Sequence, residues 1–241
     1  MKKNYQSEND IYSWYEFPID IEQCTVIRQL QPSLQVVTHE SFQSTNVSFS
    51  LEDIEDTIRQ STTFFLLKNI KDGTIAGFAF IYVIPFQSND EKLCFINKLA
   101  ISSKFQGMRF ASQFRNLLLK KETFAWIAAR TQNPAIMYNF SKNAINVYPF
   151  KEAYSGTDDG RKILEFIAQN IPQVKDSFKI GKVAIDITTG ICKGYYKGNL
   201  GNNYVNKSEN FIIEMSQLDT WNFSATNGDA ILITSSFKNL N

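Results

Sequence analysis

Apolar residues recur along this chain at the spacings that helices and strands require. Between Asp20 and Leu30 they fall every three or four residues, which predicts a helix. Ser50 and the acids that follow Leu51 predict a second helix, because a serine caps free N–H groups and acids favour the positive helix end. Residues 1–12 are polar, and we expect them to be loose.

A stretch rich in β-branched and aromatic residues follows. Two such runs, residues 62–70 and 74–84, flank Asp72-Gly73, and Asp-Gly between two strands indicates a hairpin. Residues 93–101 predict a third strand, and residues 108–121 predict an amphipathic helix. Strands that precede this helix are expected to pair antiparallel.

The second half of the chain continues the alternation of strands and helices. Residues 124–130 predict a buried strand, and Asn133 before a proline predicts the cap of a helix over 135–142. Residues 147–150 predict a short strand, and residues 230–237 predict the closing one. Between them a helix begins near Thr157 and a strand is expected over 183–187.

This order of elements predicts an α/β fold of the α+β kind, with a mixed, largely antiparallel sheet flanked by helices. We expect one domain over residues 1–241. Residues 151–227 show the weakest pattern of helices and strands, and we expect them to be an insertion or extension before the last strand.

Composition excludes several classes of function. Lys and Arg total 25 against 24 Asp and Glu, so the net charge of +1 gives no electrostatic basis for a nucleic-acid partner. His39 is the one histidine, so any Ser-His-Asp or Cys-His set must use it. Three scattered cysteines predict no metal site and suit a reducing compartment. Without a signal peptide or a membrane-length apolar run, we expect a cytoplasmic protein and no membrane partner.

The most informative segment joins the strand at 93–101 to the helix that follows it. The N–H groups at a helix N-terminus lack partners within the helix and lie at the positive end of its dipole, so they favour a phosphate. Gly107 permits a close approach of backbone to ligand, and Ala111 keeps the first helical turn slim.

At these residues the chain resembles the GCN5-related N-acetyltransferases, or GNAT family. The family's loop reads Gln/Arg-x-x-Gly-x-Gly/Ala, and here it reads Gln106-Gly107-Met108-Arg109-Phe110-Ala111. The first and last positions match, and Arg109 replaces the central glycine. The order of elements from about residue 20 to residue 150 is also similar to that of the family.

The resemblance implies a splayed sheet that binds acetyl-CoA as the acyl donor. The loop from Gln106 to Ala111 would meet the pyrophosphate. Main-chain groups of the preceding strand would bind the pantetheine arm like an added strand, at Leu99, Ala100 and Ile101. Asn133 would lie near that arm, although its place as a helix cap explains it equally well.

Acetyl transfer needs a base for the amine, a donor for the thioester oxygen and an acid for the departing thiolate. Tyr138 is the candidate acid, since the family often has a tyrosine on this helix, although the usual spacing falls nearer Phe140 or Ser141. Glu91 is a candidate base acting through water, and a solvated turn is its alternative. The aromatic loop with Tyr195, Tyr196 and Tyr204 either caps an acceptor site or is an ordinary surface loop. The cations Arg130, Lys142 and Lys104 either meet the nucleotide phosphate or face water.

Three functions stay open from the sequence. The first is an acetyl-CoA-dependent N-acetyltransferase that acts by direct attack on a small-molecule or peptide amine. The second is a catalytically weak or inactive acyl-CoA-binding regulatory module of the same fold, suggested by Arg109 and the missing clear base. The third is a structural interaction protein, suggested by residues 151–227. The acceptor and a homodimeric assembly are open as well.

Overall fold

The computed structural model describes residues 3–6, 11–42, 50–86, 91–120, 124–141, 144–149, 159–171, 185–196 and 218–236. The chain divides into two compact units, Met1–Phe124 and Ala125–Asn241. The expectation of one domain with an insertion at 151–227 stays a prediction.

The first unit is a sheet with helices on both faces. Its strands are β1 (Lys3–Gln6), β2 (Tyr12–Pro18), β3 (Thr63–Asn69), β4 (Ile75–Pro85) and β5 (Lys92–Ile101), and its helices are α1 (Ile21–Gln29), α2 (Gln31–Phe42), α3 (Leu51–Arg59) and α4 (Phe110–Leu119). The strands pair antiparallel in chain order, from β1 to β5. The predicted hairpin at Asp72-Gly73 is confirmed as the β3–β4 connection.

The expectation that residues 1–12 are loose is wrong for part of that segment. β1 pairs with β2, so that Tyr5 lies opposite Trp14. Strand pairing uses the main chain, and an edge strand has no need of the apolar side chains by which sequence patterns identify strands. The order predicted from the sequence therefore lacks β1. It also lacks β2, which is no edge strand, since it pairs with both β1 and β3 and carries the buried Trp14.

Two of the three helices before β3 are confirmed, and so is the cap predicted at Ser50; the cap at Asp20 was not predicted. The Asp20 carboxylate accepts a hydrogen bond from the Gln23 N–H at 2.8 Å at the start of α1. Ser50 and Asp53 form a reciprocal capping box at the start of α3. Helix α2 was not predicted, because its buried face includes Thr38 beside Leu34 and Val37, and this weakens the apolar period.

Consecutive residues of β3 pack against opposite faces of this sheet. The Phe64 ring lies 4.8 Å from that of Phe80, in the core that the sheet shares with α1, α2 and α3. The Phe65 ring lies 5.1 Å from Phe114 of α4, which also contacts Trp14 at 4.9 Å. The predicted sheet flanked by helices is confirmed in this unit.

The second unit also combines helices with antiparallel strands. Its elements are β6 (Phe124–Thr131), which starts at the last residue of the first unit, α5 (Pro134–Ser141), β7 (Asn146–Tyr148), α6 (Asp159–Asn170), β8 (Ile191–Cys192) and β9 (Ala230–Ser236). β9 pairs antiparallel with β6, β7 and β8. Of the strand predicted over 183–187, residues 183 and 184 lie outside the described residues, and Ile185 makes one isolated bridge to Cys192.

The Asp229 carboxylate, directly before β9, connects the loop after β8 with the segment before β9 through hydrogen bonds and an ion pair. This carboxylate, 3% exposed, accepts hydrogen bonds from the Gly194 N–H at 3.0 Å and the Ser224 N–H at 2.9 Å, and it pairs with Lys193 Nζ at 2.8 Å. Burial alone raises the pKa of Asp229, but Lys193 and the two N–H groups outweigh it and hold the pKa below its ordinary value.

We expect Asp229→Asn to lower the free energy of unfolding by about 2 kcal/mol at neutral pH, because it removes a buried charge that accepts several hydrogen bonds. Because the folded-state pKa is depressed, this stabilisation is present above the ordinary aspartate pKa of 3.8 and is lost as the pH falls through the folded-state pKa. Denaturant unfolding at pH 7 and at about pH 3 measures both effects. The exposed Asp219→Asn is the matched control, and an equal loss in both variants would contradict the role of Asp229.

Candidate functional site

Strand β5 has the residues expected to offer main-chain groups to a pantetheine arm. The side chains of Ala100 and Ile101 are buried and that of Leu99 is half-buried. Opposite Ile101 in β4 lies Gly77, where an added Cβ would stand 2.8 Å from the Ala100 carbonyl oxygen. The glycine therefore lets the two strands meet closely at this end of β5.

The ladder between β4 and β5 is interrupted by a β-bulge at Asn97. Ile96 pairs with Ile81 and Lys98 pairs with Phe80, so Asn97 is an extra residue of β5 with no opposite residue. Such a bulge bends the strand and leaves main-chain groups out of the ladder. Asn97 Nδ2 donates to Ser61 Oγ at 3.2 Å, which fixes its side chain.

The loop after β5 is attached to both the strand and helix α2. Gln106 Nε2 donates to the Ile101 carbonyl and to the Ser41 carbonyl, each at 3.1 Å. Lys104 Nζ pairs with Glu40 at 2.8 Å, and Ser102 Oγ donates to the same carboxylate. The pair with Lys104 and the Ser102 bond hold the pKa of Glu40 below its ordinary value. Gln106, expected at the pyrophosphate, thus uses its side chain to hold the loop.

Two residues of this loop have left-handed backbone conformations. Gly107 has φ of 85°, and Arg109 has φ of 61° and ψ of 15°. Because a left-handed residue cannot continue a right-handed helix, α4 begins at Phe110 and not at the predicted Met108. The GNAT pattern has glycine where Arg109 lies, and the conformation accounts for that glycine.

Helix α4 presents its N-terminus beside this loop. Its first hydrogen bond runs from the Gln113 N–H to the Arg109 carbonyl at 2.9 Å. The N–H groups of Phe110 and Ala111 come before this first donor and therefore have no acceptor within the helix. Residues 106–109 are exposed. The Phe110 side chain is buried and packs on Tyr12 at 5.2 Å, so only its main chain is available to a phosphate.

We expect Gly107→Val to weaken acetyl-CoA binding about 10-fold more than Gly107→Ala does. Both variants impose a left-handed φ on a residue with a Cβ, at a cost of about 1–2 kcal/mol for alanine and more for the β-branched valine, and thermal unfolding reports this difference. No atom lies within 4 Å of the added Cβ, so the branched side chain would crowd the ligand and not the protein. Calorimetric titration and thermal unfolding of both variants measure the two effects. Equal affinities for alanine and valine would identify a purely structural glycine.

Asn133 directly precedes helix α5 of the second unit, and Tyr138 lies within that helix. The Asn133 N–H donates to Thr131 Oγ1 at 2.8 Å, and its carbonyl accepts from the N–H groups of Ile136 and Met137 at 3.0 and 3.2 Å. Its main chain thus starts the helix, as predicted. Tyr138 is half-buried, whereas Phe140, at the spacing nearer the family's tyrosine, is 4% exposed.

Glu91 precedes β5 at the end opposite the loop. Its carbonyl accepts from the Phe86 N–H at 2.8 Å, and its side chain is half-buried. Six residue-to-residue steps, about 20 Å at roughly 3.3 Å each, separate it from Asn97. Its role as a base stays a prediction.

A cation and two aromatic rings meet near the end of β6. The Arg130 guanidinium carbon lies 3.9 Å from the centre of the Tyr195 ring, and Tyr195 meets Tyr196 edge to face at 4.7 Å. Burial raises the pKa of Tyr196. The sequence singled out each of these residues but gave no signal that Arg130 stacks on Tyr195. Tyr204 and Lys142, considered with them, lie outside the described residues.

Other features of the described residues bear on the expected partners. His39 is exposed on α2. No helix among the described ranges is both long and apolar enough for a membrane crossing. Within the same ranges, His, Cys, Asp and Glu side chains form no group of three or more that could hold a metal ion.

Comparison with solved structures finds acetyltransferases. A GNAT-family acetyltransferase from Listeria monocytogenes 4b F2365 is 14% identical, over 62% of this chain and 95% of that one, with a TM-score of 0.41. An aminoglycoside acetyltransferase from an uncultured soil metagenomic sample, in complex with sisomicin, is 14% identical over 56% and 89%, with a TM-score of 0.40. The NatB acetyltransferase complex bound to a bisubstrate inhibitor is 11% identical over 94% and 92%, with a TM-score of 0.48.

No protein-family model and no curated protein matches the chain. At these identities a similarity concerns the fold, and a function has to come from the residues of this chain.

Proposed function

We propose that this protein is an acetyl-CoA-dependent N-acetyltransferase, which moves an acetyl group from the CoA thioester to an amine by direct attack. One observation carries the proposal: a bulged strand runs into an anchored loop with left-handed residues at Gly107 and Arg109, followed by the N-terminus of α4. This arrangement suits an extended ligand that ends in a phosphate.

Each part of this segment has a role toward acetyl-CoA. The N–H groups of Phe110 and Ala111 and the exposed Arg109 guanidinium would bind the pyrophosphate. Main-chain groups of residues 99–101 would bind the pantetheine arm. The four residue-to-residue steps from Ile101 back to Asn97 span about 13 Å of strand, so an arm along β5 would bring the thioester toward the bulge.

Beyond binding, acetyl transfer needs a hydrogen-bond donor for the thioester oxygen, an acid for the departing thiolate and a base for the amine. A main-chain N–H near residues 99–101 would donate to the thioester oxygen as it gains charge. Tyr138 is proposed to protonate the departing thiolate, Asn133 to lie near the arm, and Glu91 to accept the amine proton through water. The acceptor is a small-molecule or peptide amine, and no metal, nucleic acid or membrane takes part.

The proposal also covers the location, domain organisation and assembly of the protein. We propose a cytoplasmic protein with a single GNAT-like domain, in which residues 151–227 form an insertion or extension, and a homodimer is the assembly to test. The aromatic pair Tyr195 and Tyr196 is proposed to cap the acceptor site, since aromatic side chains commonly line ligand sites.

A second candidate is a catalytically weak or inactive acyl-CoA-binding module. Arg109 favours it, because a left-handed arginine adds strain and bulk where the family pattern has glycine. The position of Glu91, about 20 Å of strand from the bulge, also favours it, since a base acting through one water must lie close to the amine.

Thiol release from acetyl-CoA in the presence of amines decides between the two candidates. The panel contains an aminoglycoside, a polyamine, free amino acids and peptides with free N-termini, and product mass identifies the acetylated amine. An N-acetyltransferase releases thiol with at least one class and yields the acetylated product. Bound acetyl-CoA without thiol release for any class would contradict the enzyme and support the module.

A further inference from the structure

Lys98 lies at the bulge of β5, between Asn97 and the residues proposed to bind the pantetheine arm. It pairs with Phe80 across the sheet, and its side chain is half-buried. A lysine in the middle of a strand whose neighbours are mostly apolar is unusual, because its charge is costly to desolvate. The proposed reaction makes no use of Lys98.

The polar groups near Lys98 come from helix α3 and the residues after it. Asp53, in the first turn of α3, is the charged side chain that acts electrostatically on Lys98. The Asp53 carboxylate also accepts from the main-chain N–H and the Oγ of Ser50, each at 2.8 Å. Ser61, which binds Asn97, follows the end of the same helix. The bulge thus lies in a small polar region within an apolar unit.

Burial changes the chemistry of this amine. It lowers the pKa of Lys98 to about 8, although the Asp53 carboxylate opposes the change. At pH 8 about half of the Lys98 amines would therefore be neutral, whereas less than about 1% of ordinary lysine amines are neutral at this pH. A neutral lysine amine is a nucleophile that attacks carbonyl carbons.

We propose that Lys98 is a self-acylation site, which takes the acetyl group from bound acetyl-CoA when no acceptor amine is present. This inference rests on the proposed function, because that function brings the thioester toward the bulge where Lys98 lies.

The step is balanced without any further reactant. Lys98 Nζ forms a bond to the thioester carbonyl carbon, and the bond between that carbon and sulfur breaks. The electron pair of the broken bond leaves with the sulfur, which takes up the proton that the amine loses. The products are N-acetyl-lysine and the free thiol of CoA.

The product differs from a catalytic intermediate. An amide is far more stable than a thioester, so the acetyl group stays on Lys98 and each chain reacts once. The modification removes the positive charge that acts on Asp53. Acceptor amines compete with Lys98 for the same acetyl group, so modification should occur mainly when they are scarce.

The test is to incubate the intact protein with acetyl-CoA at pH 8 without an acceptor. Thiol release is measured, and peptide mass spectrometry locates the acetyl group. We expect about one thiol per chain and acetylation of Lys98 at least about 10-fold faster than that of Lys92, the exposed lysine at the start of the same strand. Excess CoA should suppress the reaction at Lys98 and leave that at Lys92 unchanged.

Two variants provide matched controls. Lys98→Arg keeps the positive charge but cannot form the amide, and it should lose the thiol release, whereas Lys92→Arg should retain it. If Lys98→Arg fails to fold, the comparison of Lys98 with Lys92 in the unaltered chain still decides. Equal acetylation of the two lysines, or an unmodified Lys98 in protein that binds acetyl-CoA by calorimetry, would overturn the proposal. Absence of acetyl-CoA binding would contradict the proposed function itself, and this inference with it.

Discussion

Replacing Arg109 by alanine is expected to weaken acetyl-CoA binding about 10- to 100-fold. The side chain is exposed beside the N-terminus of α4, where its guanidinium can reach the pyrophosphate. A charge-assisted contact of this kind contributes about 1.5–3 kcal/mol. The loss should shrink at high salt, because screening already weakens the contact in the unaltered protein.

Arg109→Gly separates the role of the charge from that of the backbone. It loses the same guanidinium, so its affinity should fall as well, but glycine adopts φ of 61° without strain. We expect its free energy of unfolding to be about 1 kcal/mol higher than that of the alanine variant. If α4 began at Met108, Arg109 would be a helical residue, and the glycine variant would be the less stable of the two, since glycine weakens a helical turn. Because α4 begins at Phe110, the glycine variant is expected to be the more stable one.

Calorimetric titration with acetyl-CoA at low and high salt, and thermal unfolding of both variants, check these results. Tighter binding by Arg109→Gly than by the unaltered protein would contradict the phosphate contact. It would show that the arginine crowds the loop, and it would favour the catalytically weak module. Equal stability of the glycine and alanine variants would contradict the left-handed conformation at this position.

Tyr138→Phe is expected to lower turnover about 100-fold and to leave acetyl-CoA affinity nearly unchanged. A positioned acid contributes roughly 100-fold or more, and the variant removes only the phenolic hydroxyl. The comparison requires kcat at saturating substrates together with the Kd for acetyl-CoA.

Tyr148→Phe is the matched control for Tyr138→Phe. The Tyr148 hydroxyl bonds to the Ile187 and Thr188 carbonyls, each at 2.9 Å, so its loss should lower stability by about 1 kcal/mol and spare turnover. An unchanged kcat for Tyr138→Phe would move the acid role away from this residue.

The sequence was informative where local chemistry determines structure. Asp20 and Ser50 accept hydrogen bonds from N–H groups three residues ahead, so a capped helix can be read from a few neighbouring residues. Asp72-Gly73 sets a hairpin in the same local way. The helix after Asn133-Pro134 and the strand at 230–236 are also predictable from composition and short-range signals.

Features that depend on distant pairing were not predictable. The bulge at Asn97 follows from the register between β4 and β5, which no local pattern specifies. The lowered pKa of Lys98 requires burial on a folded sheet. The loop pattern showed that Arg109 replaces a glycine, but not that the position is left-handed, and Glu40 lies 64 residues before the Lys104 that it anchors.

Calorimetric titration of the intact protein with acetyl-CoA tests the central claim most directly. The account predicts saturable binding of one acetyl-CoA per chain, with affinity that falls in Gly107→Val and in Arg109→Ala while both variants stay folded. Absence of binding at about millimolar acetyl-CoA, or binding that neither substitution changes, would contradict the assignment of residues 99–111 as the acyl-CoA site.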